Sequence, residues 1–145
     1  RDRQAQANVA RILDEADLGR IDRALDRYLR NKALIETLGR HLGVAVAFVW
    51  QPVPTYKYDL SQHLFAYRDM RGHAQTGAAY RRAAERFARG DFGDNLAWCA
   101  DIQEGIAKPL YVDAVHYSAE LARLLAECIA EKTPLKALAA RRPKG

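Results

Sequence analysis

Asp113 and His116 stand three residues apart in the run Leu110-Tyr111-Val112-Asp113-Ala114-Val115-His116-Tyr117-Ser118, after a short apolar stretch and just before an amphipathic helix. A carboxylate and an imidazole at this spacing in a turn can face each other. The carboxylate then accepts the Nδ1 proton, fixes the tautomer and leaves Nε2 free as a base. That is part of a nucleophile–base–orienter set, and the nucleophile is the missing member. The chain has two serines: Ser61 lies between Leu60 and Gln62 with no strand before it, and Ser118 stands where a helix cap belongs. The other histidines carry less chemistry. His41 falls near a helix C-terminus, where a partial positive charge suits the dipole. His63 and His73, with Asp59 and Asp69, lack any paired metal-ligand spacing and read as surface polar residues. No glycine-rich phosphate loop follows a strand. The sequence therefore calls for no metal and no cofactor.

The elements that must hold the pair follow from periodicity. Apolar residues recur at three- and four-residue steps from Ala5 to about Glu15 and from Leu18 to Leu42, through Ile21, Leu25, Leu34 and Leu38, which predicts amphipathic helices. Gly43 stands at a helix C-terminal glycine position. Val44 to Trp50 then runs apolar without alternation, as a strand covered on both faces does, and Pro52 and Pro54 stop it. Thr55 to Thr76, with Tyr56, Tyr58, Phe65 and Tyr67, has no clean period and predicts a partly helical excursion above the sheet. Gly77 to Arg89 reads as helix, Leu96 to Gln103 as a short helix, and Leu110 to Val112 as a second strand, parallel to the first. Ser118 caps a helix whose Leu121, Leu124, Leu125, Cys128 and Ile129 form one apolar stripe. Helix, buried strand, helix, short strand, helix is the order of an α/β sheet with crossovers.

Composition agrees with a folded domain. The 145 residues are 49% hydrophobic and 28% charged, against disorder or a disulfide scaffold. The longest apolar stretch, Val44 to Trp50, is far short of the roughly 20 residues of a membrane span. Residues 1–90 hold 16 basic and 10 acidic side chains, residues 91–133 hold 3 and 8, and residues 134–145 hold 4 and none. The basic excess is interleaved with acids, and Arg20, Asp22, Arg23, Asp26, Arg27 and Arg30 read as a solvated helix face. Nucleic acid is not the expected partner. Residues 134–145, with four basic side chains and no acidic ones, read as a basic, flexible tail. Cys128, on the apolar stripe, reads as buried packing rather than a ligand or redox centre. Nothing in the sequence assigns a compartment.

The run Leu110 to Ser118, followed by an apolar helix, resembles the C-terminal catalytic block of the SGNH (GDSL-type) esterases and lipases. The helix at Arg27 to Leu42, the Gly-Val entry, the buried strand and its Gln51-Pro52 ending are similar to the segment that precedes that block, so the resemblance covers most of residues 27–132. It implies an α/β fold, a flavodoxin-like three-layer sandwich of parallel strands with flanking helices, of which residues 1–133 are the C-terminal part. It implies that Asp113 and His116 are two members of a Ser-His-Asp triad, and that the serine block and the Gly and Asn oxyanion donors lie outside this chain. The implied partners are an ester of a small molecule, lipid or carbohydrate and the N-terminal half of the same domain. Gln51, Tyr56, Tyr58 and Tyr117 are the expected substrate contacts. Phe92-Gly93-Asp94-Asn95-Leu96 spells the family's nucleophile motif with asparagine for serine, but it follows a helix end rather than a first strand. It reads as turn chemistry. The rival reading is a non-catalytic interaction module, either a degenerate SGNH-like protein or a helical domain that docks a partner through the aromatic excursion.

Overall fold

The computed structural model describes residues 15–66, 70 and 73–133. The helix expected from Ala5, the aromatic Tyr67, Asp69 and the basic tail lie outside them. The architecture is mixed helix and strand, with a two-stranded parallel sheet between helices.

Helix α1 spans Glu15–His41 without a break. Glu15 and Asp17 in its first turn and Arg40 and His41 in its last both suit the helix dipole. Gly43 ends it at φ 65, a left-handed conformation that a side chain would strain, while the Val44 N–H donates to the Gly39 carbonyl at 2.8 Å. Helix α2, Ala74–Ala88, packs along the first half of α1. Ile21, Leu25, Ala78 and Ala83 are buried between them. Part of the charged face predicted as solvated is turned toward α2 instead. Asp26 accepts from Arg86 at 2.6 Å and Asp22 from Arg82 at 3.3 Å. The second half of the predicted apolar stripe is open: Leu34, Leu38 and Leu42 are 59%, 50% and 68% exposed.

Strand β1 is Phe48–Trp50, shorter than the predicted Val44 to Trp50, because Val44 to Ala47 meet no ladder partner among the described residues. Its parallel neighbour β2 is Leu96–Trp98, with Val49 opposite Ala97. This corrects the expected helix over Leu96 to Gln103. Leu and Ala favour helix, but Leu96, Ala97 and Trp98 are buried on both faces, and burial overrides propensity there. It corrects the second strand as well. Leu110 to Val112 does not join the sheet; Tyr111 forms an isolated antiparallel bridge with Tyr117, closing a loop around Asp113 and His116.

On the α1 and α2 side, Trp50 and Trp98 stack with centroids 5.7 Å apart, and Tyr28, Tyr80, Phe87 and Phe92 surround them. Each such ring pair adds about 0.5–1.5 kcal/mol beyond its buried area. Helix α3, Ala119–Lys132, covers the other face. Ser118 caps it as expected, its hydroxyl accepting from the Leu121 N–H. Cys128 is buried, but not as simple packing: it is disulfide-bonded to Cys99, the residue after β2. Lys132, in the last turn of α3, donates to the Trp98 carbonyl at 2.8 Å. No helix among the described residues is long and apolar enough to cross a membrane.

Candidate active site

The carboxyl ends of parallel strands are where α/β folds gather ligands. Here β1 runs into Gln51-Pro52-Val53-Pro54-Thr55, and two tyrosines hold that segment. Tyr80 on α2 donates to the Gln51 carbonyl at 2.8 Å, and Tyr117 donates to the Pro52 carbonyl at 2.6 Å. Gln103 holds it from below. This side chain is fully buried, donates to the Val53 and Tyr56 carbonyls at 2.7 and 2.6 Å, and accepts from the Tyr111 hydroxyl at 2.6 Å. It joins the segment after β1 to the base of the Asp113 loop. Sequence reasoning passed over Gln103, which no spacing singles out; only its three bonds show what it does. Gly77 permits the approach of α2, because a Cβ there would lie 2.5 Å from the Thr55 carbonyl oxygen.

The loop itself is built around one carboxylate. Asp113 Oδ1 accepts the backbone N–H groups of Val115 and His116, each at 2.8 Å. Its Oδ2 lies 2.6 Å from His116 Nδ1. The expected pairing of the two side chains is therefore present. Those backbone bonds, from His116 first and Val115 second, and then the imidazole, hold the Asp113 carboxyl down at about 2, so it is ionised throughout the ordinary pH range. Paired with an anion, Nδ1 carries the proton and Nε2 the lone pair. Among the described residues Nε2 has no partner, and the His116 side chain is 75% exposed.

A cleft of about 320 Å³ opens beside that ring, lined by Gln51, Pro52, Val53, Pro54, Thr55, His73, Thr76, Val115, His116 and Tyr117. Two of the four expected substrate contacts, Gln51 and Tyr117, line it. The other two do not: Tyr56 and Tyr58 are buried, Tyr56 against Tyr80 and Trp98, Tyr58 against Tyr111 with its hydroxyl donating to the Lys108 carbonyl. Aromatic rings without a period signal core as readily as a pocket wall. His73, placed on the surface by the sequence, lines the cleft at the start of α2 instead. His63 is the second correction, because it is buried rather than surface polar.

The Gly93-Asp94-Asn95 motif sits at the opposite, amino end of the strands. Gly93 adopts φ 71, and the Asn95 side chain accepts from Lys32 at 2.6 Å while donating to Glu36 at 2.9 Å. Gly93 is turn chemistry, as expected, while Asn95 serves a side-chain cluster that the sequence reading did not foresee. Ser61 lies in the short 3-10 turn Leu60–Gln62. Among the described residues no group of three or more His, Cys, Asp and Glu side chains is arranged to hold a metal. Comparison with protein-family models, curated proteins and solved structures returns no match.

Proposed function

We propose that this chain supplies the base and the orienter of an SGNH-type ester hydrolase, and that the serine nucleophile and oxyanion donors come from a complementary segment of the same three-layer domain. The observation that carries this reading is the 2.6 Å contact between Asp113 Oδ2 and His116 Nδ1, which leaves Nε2 at the mouth of the cleft at the carboxyl end of β1. In the reaction His116 Nε2 takes the serine proton as the hydroxyl oxygen attacks the ester carbonyl. Asp113 stabilises the imidazolium so formed. Collapse of the tetrahedral intermediate expels the alcohol, which leaves with the proton that His116 returns. Water repeats the sequence on the acyl-enzyme and regenerates the serine. Pro52, Val53, Pro54 and Val115 give the cleft an apolar wall, and Gln51, Thr55 and Thr76 a polar rim. A short acyl ester fits that size and lining.

The open side of the sheet supports the complementary segment. In a parallel ladder the bonding residues alternate. Phe48 N–H meets the Asn95 carbonyl and the Trp50 carbonyl meets Cys99 N–H, so the peptide groups of Val49 point away from β2. Among the described residues no third strand meets them. Lys132 donates to the Trp98 carbonyl on the far edge of β2, whereas Leu34, Leu38, Leu42 and Val44 leave apolar surface exposed at the end of α1 that leads into β1. A strand with its own helix would cover both features at once.

The test compares the 145-residue chain with the full polypeptide that its gene encodes, using turnover of p-nitrophenyl acetate and labelling by a fluorophosphonate. The chain alone should be nearly inactive, and on this proposal the full polypeptide should hydrolyse the ester and be labelled on a serine outside residues 1–145. Activity indifferent to His116→Ala would overturn the proposal.

A further inference from the structure

Asp113 fixes the Val115 and His116 amides and the imidazole relative to one another, but a bond inside a loop cannot set where that loop stands against the cleft. Its two stem residues can. Tyr111 and Tyr117 face each other across the antiparallel bridge, flanked by bonds from the Val112 N–H to the His116 carbonyl at 2.9 Å and from the Ser118 N–H to the Leu110 carbonyl at 2.8 Å. They are therefore a non-hydrogen-bonded pair, the kind whose side chains share a face and stand close. Their rings meet edge-on with centroids 5.8 Å apart.

Both hydroxyls end on the same stretch of chain. Tyr117 donates to the Pro52 carbonyl at 2.6 Å. Tyr111 donates to Gln103 Oε1 at 2.6 Å, and Gln103 Nε2 carries the connection on to the Val53 and Tyr56 carbonyls at 2.7 and 2.6 Å. That stretch needs donors from elsewhere. Pro52 and Pro54 have no N–H, the segment leaves the sheet after Trp50, and its carbonyls are satisfied by side chains instead of a ladder. Pro52, Val53, Pro54 and Thr55 line the cleft that His116 also lines. The loop is thus tied to the cleft wall at two points, Tyr111 before the imidazole in the chain and Tyr117 directly after it.

We propose that the Tyr111 and Tyr117 hydroxyls are positioning groups for His116, a two-point tie that holds its loop against the Pro52–Tyr56 wall. This rests on the reading of His116 as the base, and it commits the Tyr117 hydroxyl to the wall rather than to substrate.

Phenylalanine removes each hydroxyl and keeps each ring. In the 145-residue chain the readout is the set of backbone N–H residual dipolar couplings, which report how the Val115 and His116 amides are oriented against those of β1 and β2. Wild-type couplings should fit one common frame. Tyr117→Phe should shrink the loop couplings while those of the strands hold, and Tyr111→Phe with Tyr117→Phe should take the loop out of the fit. Tyr80→Phe is the control: its hydroxyl donates to the neighbouring Gln51 carbonyl at 2.8 Å, but from α2 and not from the loop, so the loop couplings should stay as they are. A purely structural contribution lowers the urea midpoint and leaves the folded chain's couplings unchanged. That result overturns the proposal, as does a Tyr80→Phe chain whose loop is freed as far as in Tyr117→Phe. If the double variant does not fold, Tyr117→Phe decides alone. In the full polypeptide that the gene encodes, Tyr117→Phe should lower kcat for p-nitrophenyl acetate by up to about 10²-fold through displacement of the base, with KM held. A raised KM with kcat held would make the hydroxyl a substrate contact and overturn the tie. No ester turnover in wild type would overturn the base and with it the positioning role, whatever the couplings show, whereas turnover with unchanged couplings in Tyr117→Phe overturns the tie alone.

Discussion

The two ends of the two-stranded sheet carry similar polar side chains and use them in opposite ways. At the amino end, Lys32 is buried over the Phe48 ring and bonded to Glu36 at 2.5 Å and Asn95 at 2.6 Å, while the Asn95 amide returns a bond to Glu36. Each of these groups has its partner, and together they close the cluster between α1 and β2. At the carboxyl end, the Asp113 carboxylate is as fully bonded as Asn95, but the group it holds is not: His116 keeps a nitrogen turned to solvent beside a cleft. A bonded cluster stabilises. A bonded orienter with one unbonded atom attached to it can react. This is why Gly93-Asp94-Asn95, which spells most of a nucleophile motif, is structural here, while a bare D-x-x-H spacing carries the candidate site.

The largest effect expected from this contrast is on rate. On the proposed triad, in a polypeptide that supplied the serine, His116→Ala should lower kcat by about 10⁶ and Asp113→Ala by about 10⁴, because triad members act as a unit and the base is harder to replace than its orienter. Lys32→Met in the same protein should leave kcat unchanged. Steady-state kinetics on p-nitrophenyl acetate reads all three, and a Lys32→Met enzyme as impaired as His116→Ala would erase the distinction between the two ends.

Stability should show the next effect. The Cys99–Cys128 bridge encloses 29 residues of chain separation, and within that segment lie both Asp113 and His116. Loop-closure entropy assigns a bridge of this span about 3–4 kcal/mol. The paired substitution Cys99→Ser with Cys128→Ser should lower unfolding free energy by that amount in urea, and added reductant should do the same to wild type. A loss below about 1 kcal/mol would show that α3 and the loop are held by packing alone. At the amino end Lys32→Met should cost about 1–3 kcal/mol, since it leaves Glu36 and Asn95 without their shared donor. Measured by the same urea midpoints, a neutral Lys32→Met would mean the cluster only solvates itself.

Much of this was legible in advance, and the failures have a common cause. The Asp113–His116 contact could be read because it is local: three residues in a turn decide it. The cap at Ser118, the stop at Gly43 and the stripe on α3 are local in the same way. Features set by partners distant in sequence were missed. Leu96-Ala97-Trp98 is a strand because Phe48-Val49-Trp50 lies beside it, not because of its own preference. Tyr56 and Tyr58 are core because Trp98 and Tyr111 meet them, His63 is buried because Tyr111 covers it, and Cys128 finds Cys99 across 29 positions. The exposed Leu34, Leu38 and Leu42 are the reverse case: the period marks an apolar face correctly but does not say that nothing among the described residues covers it.

The smallest effect is a titration, and it tests the contrast at single groups. In an unfolded chain an aspartate carboxyl titrates near 3.9. In the folded loop the Asp113 carboxyl is held at about 2, first by the His116 backbone N–H, then by the Val115 N–H and the His116 ring. A depressed folded pKa means that the carboxylate's contribution is complete above the unfolded value and fades as pH falls from about 4 toward 2. The Val115 amide signal should therefore keep its carboxylate-bonded position at pH 4 and lose it only as the pH approaches 2. Glu36 at the amino end is also held below its ordinary value, chiefly by its bond from Lys32. The causes are separable, because one carboxylate is held by its own loop's backbone and the other by a side chain. Lys32→Met should return Glu36 toward the ordinary carboxylate range and leave the Asp113 transition where it was. If both transitions moved together in that variant, or if the Val115 amide inflected near 4 in wild type, the loop would not be organised around the Asp113 carboxylate.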